Sequence, residues 1–227
     1  STDNTAAILQ KYNYLKIVTY SPNKGKGYAI QKGFEATINA GFYYAVTIDS
    51  DGQHYPSDIG ILLRKIEEEP DSLVVGARNL AAETLSKGST FANRFSNFWY
   101  RFLTGIRLPD TQTGFRLYPL MPLKSMRFFS GRYEFELEVL VRAAWKGINI
   151  TSAPVRVFYP SKKERVSHFR PFKDFMRISL LNTIFVIIAL LYIKPFSFLR
   201  YFKRENIRDF INKHILLTRE SNLSIAL

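Results

Sequence analysis

With 227 residues and 46% apolar content, the chain is long enough for one domain with a substantial core plus an appendage. It has no cysteine, which excludes disulfides, thiolate metal sites and a cysteine nucleophile and fits a reducing compartment. The net charge of +13 is lopsided: residues 1–120 hold 13 Lys/Arg against 11 Asp/Glu, residues 121–227 hold 19 against 8.

A basic half of this kind meets either nucleic acid or an anionic membrane surface. No zinc-finger, RNA-recognition or helix-turn-helix pattern accompanies it, and it contains the most apolar stretch of the chain. Membrane lipids are therefore the expected partner, and nucleic acid is not.

In chain order, residues 3–13 read as a helix capped by Ser1, Thr2 or Asp3, and the alternating, β-rich Leu15–Tyr20 as a strand. The loop Ser21-Pro22-Asn23-Lys24-Gly25-Lys26-Gly27 leads into a helix whose Ala29, Ile30, Phe34 and Ile38 share a face and which stops at Gly41. A strand Tyr44–Ile48 follows, then Asp49-Ser50-Asp51-Gly52-Gln53-His54. Pro56 opens a helix with Ile59, Leu62, Leu63 and Ile66 on its apolar side, and Ser72–Ala77 is a strand. Lys87–Thr104 is an aromatic-rich helix, Asp110–Arg116 a polar turn and Tyr133–Trp145 a helix. Ile148–Tyr159 is a strand pair or one bent strand broken at Pro154. This alternation predicts an α/β fold, a doubly wound and mostly parallel sheet.

After a basic loop, Ser161–Arg170, Pro171 starts a long helix. Its apolar core, Ile178–Ile193, spans roughly 24 Å at about 1.5 Å per residue, short of the ~30 Å hydrocarbon thickness. It is read as membrane-embedded without spanning, a buried core helix being the alternative. Phe196–Ile215 mixes aromatics with Lys and Arg like an amphipathic helix lying in the membrane plane. The expected organisation is a catalytic domain over residues 1–170, membrane-associated helices over 171–215 and a tail over 216–227.

Four elements carry chemistry. The Asn23–Gly27 loop after a strand can offer backbone N–H groups and the Lys26 cation to a phosphate. Asp49 and Asp51 end an apolar run, where open α/β sheets bind ligands, and are hard oxygen donors suited to Mg²⁺ or Mn²⁺. Gln53 can add an amide oxygen, while His54 reads as a packing residue. Asp110–Arg116 and the 162–170 basic loop complete the set.

Asn-Lys-Gly-Lys-Gly, then Asp-Ser-Asp-Gly-Gln-His, Gly-Ala-Arg (76–78) and Asp-Thr-Gln-Thr-Gly-Phe-Arg together resemble glycosyltransferase family 2. The nearest subgroup is the dolichol-phosphate mannose synthase type, with a GT-A, Rossmann-like fold. The resemblance covers about residues 1–170. It implies an enzyme that transfers a sugar, with inversion, from a nucleotide-sugar donor to a polyprenyl phosphate acceptor at the cytoplasmic face of a membrane. A family 2 transferase acting on a glycan or lipid hydroxyl is the alternative. By that likeness Asp49, Asp51 and Gln53 hold the metal and diphosphate, and Lys26, Arg78 and, in the basic loop, Arg165 meet donor phosphates. Asp110 and Asp51 are the catalytic candidates, Asp110 as base or as a positioner of sugar or acceptor. Arg116 contacts donor phosphate or pairs with Glu134 or Glu136.

One departure stands out. Ser1–Thr5 matches the end of a family segment whose preceding strands are absent from this sequence, and the chain starts without Met. It is read as an N-terminally truncated piece, with its sheet incomplete. On that reading it is poorly stable and inactive alone, a non-catalytic membrane-bound remnant, whereas a full-length parent is active.

Overall fold

The structure, a computed structural model, describes residues 4–78, 87–158 and 171–193. It divides into two compact units, residues 1–182 and 183–227.

In the first unit the elements are α1 (Thr5–Leu9), α2 (Lys26–Asn39), β1 (Tyr44–Thr47), a 3₁₀ turn (Pro56–Asp58), α3 (Ile59–Glu68), β2 (Leu73–Arg78), α4 (Lys87–Thr104), β3 (Arg116–Pro119), α5 (Leu120–Lys124), α6 (Phe135–Trp145) and β4 (Ile150–Val155). Helix α7, Pro171–Ile188, begins there, and the second unit is described by the end of α7 and the π-helical turn Ala189–Ile193.

The four strands form one sheet in the order β1-β3-β2-β4. β2 and β4 run parallel, but β3 is antiparallel to both its neighbours, with Ala45 opposite Tyr118 and Val74 opposite Leu117. The expected mostly parallel sheet is thus a mixed one. The cause is β3, a strand of four residues hidden behind the polar turn that precedes it.

Side chains alternate across β3, as the two-residue period of a strand demands. Leu117 joins Leu62 and Ile66 of α3, Val74, Phe115, Ala153 and Val155 in a buried cluster. Tyr118 points the other way and meets Phe34 of α2 with ring centroids 4.8 Å apart, while Phe34 in turn faces Phe135 of α6. The sheet is therefore covered on both faces, α3 on one and α2 with α6 on the other. Pro154 sits inside β4 without breaking it, because β4 is an edge strand and can lack one N–H donor.

Two expected elements differ. The N-terminal helix is five residues rather than eleven. Leu15–Tyr20 forms no strand, and Leu15, Ile17 and Val18 are exposed. β propensity reflects fit to a pleated, half-buried surface, and without a ladder partner that run has none. β1 is the other edge of the sheet, with Tyr43, Tyr44 and Ile48 partly exposed along it. Among the described residues no helix is long and apolar enough to cross a membrane. The basic loop, with Arg165, and the amphipathic stretch 196–215 lie outside the described residues.

Candidate active site

The site forms where β1 ends. Thr47 Oγ1 donates to the Gly114 carbonyl at 2.6 Å, tying the strand end to the Thr113-Gly114-Phe115 segment. The chain then bends at Gly52, whose φ of 74° is a left-handed conformation that glycine adopts without a Cβ clash. The Gln53 N–H donates to Asp51 Oδ1 at 3.0 Å, so the Asp51 carboxylate closes the turn while staying exposed to solvent.

Lys26, the first residue of α2, reaches the same place. Its ammonium stands 2.7 Å from Asp49 Oδ1 and 2.9 Å from Glu136 Oε1 in the first turn of α6. Burial works against the Lys26 charge, but the Glu136 and Asp49 carboxylates outweigh it and hold its pKa above the ordinary value. Gly114 lies against this pair: a Cβ there would stand 2.5 Å from Asp49 Oδ2 and 2.8 Å from Lys26 Nζ. The glycine is what lets the loop close over the ion pair. A cavity of about 500 Å³ opens beside Lys26, lined also by Ile17, Tyr20, Asn23 and Gly25.

Asp110 is fully buried. Its Oδ2 accepts Arg78 Nε at 2.5 Å and, at 3.4 Å, the Arg78 backbone N–H. Its Oδ1 accepts Arg78 Nη2 at 3.0 Å, Asn93 Nδ2 at 2.6 Å and the Gln112 N–H at 3.0 Å. Burial alone would raise this carboxyl, yet the hydrogen bonds and charge of Arg78, with Gln112 and Asn93, hold it below the usual carboxylate range. Asp110 is therefore a saturated acceptor with little basicity.

Helix α4 supplies the other half of this clamp. Asn97 Nδ2 donates to Asn93 Oδ1 and to the Pro109 carbonyl, and Asn97 Oδ1 accepts the Thr111 N–H at 3.0 Å. Asn93, Ser96 and Asn97 were not singled out in the sequence. Their signal was three polar residues on one face of an otherwise aromatic helix.

Arg116 does not reach the site surface. It is fully buried, and its Nε, Nη1 and Nη2 donate to the carbonyls of Thr113, Glu136 and Thr111 at 2.7, 2.6 and 2.9 Å. The structure thus places it as a brace joining the 110–116 turn to α6, in place of the expected contact with donor phosphate. It bonds the backbone of Glu136, whose carboxylate belongs to Lys26.

His54 is buried with its ring 5.1 Å from Phe115 and its Nδ1 without a hydrogen-bond partner, and burial lowers its pKa against the pull of Asp49 and Asp51. Beside it the chain leaving β4 is pinned. His54 and Val157 form a β-bridge, the Phe158 N–H donates to the Gln53 carbonyl at 2.8 Å, and the buried Asp58 carboxylate accepts the Arg156 N–H at 2.8 Å and its Nη2 at 2.5 Å. Asp58 and Arg156, 98 positions apart, are a second pair that no sequence signal marks.

The residues at the acidic turn fit a divalent ion. Asp49, Asp51 and Gln53 offer hard oxygens on one bend, and Mg²⁺ or Mn²⁺ takes one or two carboxylates plus substrate phosphates. Among the described residues no group of three or more His, Asp or Glu side chains forms a cage, so substrate oxygens are part of any such site. Asp49 would exchange Lys26 for the ion.

A mixed α/β sheet with an acidic turn at the end of a strand defines a nucleotide-sugar-transferase-like architecture. Glucosyl-3-phosphoglycerate synthase from Mycobacterium tuberculosis, solved with Mn²⁺, UDP-glucose and phosphoglyceric acid, shares it: TM-score 0.54 at 20% identity, over 83% of this chain and 65% of that one. The family profile described as glycosyl transferase family 2 matches residues 1–127, and the chain belongs to that family. An uncharacterised protein of Methanocaldococcus jannaschii is 33% identical over 70% of this chain and 73% of its own length. The UDP-N-acetylglucosamine–dolichyl-phosphate N-acetylglucosaminyltransferase of Methanococcus voltae is 30% identical over 73% and 68% respectively. The chain thus spans about two thirds of the length of these relatives and slightly less of the solved structure. The resemblance drawn from the four motifs is borne out.

Proposed function

We propose that this chain carries the site of an inverting transferase that moves a glycosyl group from a nucleoside-diphosphate sugar to a polyprenyl phosphate at the cytoplasmic face of a membrane. The reading is supported by the family, by the dolichyl-phosphate relative, and by the meeting of Lys26, Asp49, Asp51 and Gly114 at the end of β1.

Asp49, Asp51 and Gln53 hold Mg²⁺ or Mn²⁺ with the donor diphosphate; when bound, the ion neutralises charge that builds on the leaving diphosphate. Lys26 adds a fixed positive charge beside it, and the nucleoside enters the cavity next to Lys26. Arg78, aimed by Asp110, presents its guanidinium toward the phosphates, and Arg165 is the favoured cation of the basic loop. Asp110 acts by positioning Arg78.

One observation carries the choice of acceptor: Asp110, the candidate base, is already saturated with donors. A sugar or lipid hydroxyl needs a base to lose its proton. A phosphomonoester, with a second pKa near ~6, is already largely ionised at neutral pH and attacks without one. Incubation with radiolabelled nucleotide sugars and polyprenyl phosphate in detergent, with Mg²⁺ or Mn²⁺, tests this. Transfer to the phosphate, lost on chelation and in Asp51→Asn, is the expected result. Transfer to hydroxyl acceptors but not to the phosphate would overturn it, and so would metal-independent transfer.

A further inference from the structure

We infer that the outward face of α4 is a membrane-docking surface that seats on an anionic bilayer. At about 100° per residue, Arg94, Phe95, Phe98, Arg101 and Phe102 fall within an arc of roughly 120°. Asn93, Asn97, Tyr100 and Thr104 fall on the opposite side and carry the Asp110 clamp and the core contacts. The outward residues are not core residues: Phe95 is 42% exposed and Phe98 60%, and Arg94 and Arg101 are exposed between them. Trp99 borders the arc and is the hub of the ridge, edge-on to Phe95, Phe98 and Phe102 with centroids 6.2, 5.5 and 5.7 Å away.

The chemistry of that face selects its partner. No acidic residue occurs between Glu83 and Asp110. Aromatic rings interleaved with arginines and no carboxylate match the interface of an anionic membrane, where rings enter the acyl boundary and guanidinium groups meet lipid phosphates. A protein groove would leave those arginines to find acidic partners, and a duplex would leave the Phe ridge in water. Docked this way, α4 lies in the membrane plane and Asp110 and Arg78 stand about one helix diameter, ~10 Å, above the lipid. A lipid-linked phosphate reaches the site from that side. This partner assignment rests on the function proposed above, and it gives α4 two faces with two jobs.

The test uses Trp99 as a reporter in the full chain. Vesicles of phosphatidylcholine with phosphatidylglycerol, brominated in the acyl chains, are added to the wild type and to Trp99→Phe, in which only Trp145 emits. The expected result is quenching in the wild type that is absent in Trp99→Phe. Arg94→Gln/Arg101→Gln should weaken the partitioning on the order of 30-fold, from roughly fivefold per charge. Flotation of the chain with Trp99 unquenched overturns the proposal, since binding then runs through another segment. Failure to float overturns it too, as does a Trp99 response to duplex DNA that exceeds the response to vesicles. Phe95→Ser/Phe98→Ser separates the two readings: it should lose quenching yet keep transfer to a short polyprenyl phosphate dispersed in detergent. If the wild type shows no such transfer while Trp99 is quenched, the activity is misread and the docking face stands.

Discussion

Asp110→Asn distinguishes a clamp from a base. The substitution keeps the shape but turns one oxygen into an NH₂ donor and removes the charge. Both oxygens of Asp110 already accept from Arg78, and one also accepts from Asn93 and Gln112, so either orientation of the amide sets donor against donor. The guanidinium of Arg78, only 17% exposed, loses its counter-ion. Removing one partner of a fully buried pair costs about 3–5 kcal/mol, and the residual access of Arg78 to water puts this case near the lower figure, about 3 kcal/mol. Urea denaturation should show that loss at neutral pH. The sign with pH follows from the depressed Asp110 pKa. Its contribution is complete above the unfolded value of about 3.9 and is lost as pH falls through the folded value. The gap between wild type and variant should therefore close in acid. In a double-mutant cycle with Arg78→Met the two losses should couple by at least about 1 kcal/mol. A base, in contrast, contributes about 10²–10⁴ in rate without stabilising the fold. If Asp110→Asn left the urea midpoint unchanged and kcat fell a thousandfold, the clamp would be wrong and Asp110 would be the base.

Three further perturbations probe the surrounding site. Gly114→Ala pushes a Cβ into the Lys26–Asp49 pair; overpacking of this kind costs about 1–3 kcal/mol, and calorimetry should find the loss together with a higher Mn²⁺ requirement for transfer. Unchanged metal dependence would separate Gly114 from the acidic turn. Lys26→Met removes a cation whose folded pKa is raised, so its stabilisation is complete below the unfolded value of about 10.4 and fades as pH rises through the folded one. Urea melts from neutral to strongly alkaline pH should show the two proteins converging, and a constant offset would contradict the ion-pair account. Asp58→Asn weakens the charge-assisted bonds to Arg156 and should cost about 1–2 kcal/mol, with faster amide exchange at Phe158 read by mass spectrometry. Exchange at Phe158 that stays as slow as in the wild type would mean the β4 exit is held by other contacts.

What the sequence showed and what it concealed separate along a physical line. Asp49 and Asp51 were legible because an apolar run that ends in two carboxylates and a glycine is a local pattern, and Lys26 because its loop precedes a helix. The partners of these groups were not. Glu136 meets Lys26, Asn93 meets Asp110 and Asp58 meets Arg156 across 110, 17 and 98 positions, and each contact exists only once the sheet brings its elements together. The same limit explains the strands. Leu15–Tyr20 has strand composition and no ladder partner, so it stays irregular, while Arg116–Pro119, with an arginine and a proline, pairs on both sides.

Arg116 shows how a motif residue misleads. An arginine that ends a conserved-looking polar turn in a phosphate-handling chain reads as a phosphate ligand. The fold instead sets it at the first position of β3, pointing away from the Leu117 cluster and under the turn, where three carbonyls exhaust its donors. A buried guanidinium is tolerated only with such partners, and those partners are the backbone of the turn that presents Asp110 and Gly114. Arg116 therefore shapes the site without touching a ligand: it fixes the turn, the turn fixes Asp110, and Asp110 aims Arg78. The order of that chain has a consequence that separates it from a direct phosphate contact. Arg116→Lys keeps the charge but cannot reach three carbonyls at once, so it should destabilise the fold by about 2–3 kcal/mol and lower kcat and donor affinity together. A residue that merely held phosphate would lose donor affinity with its melting curve intact, and that outcome would return Arg116 to the ligand shell.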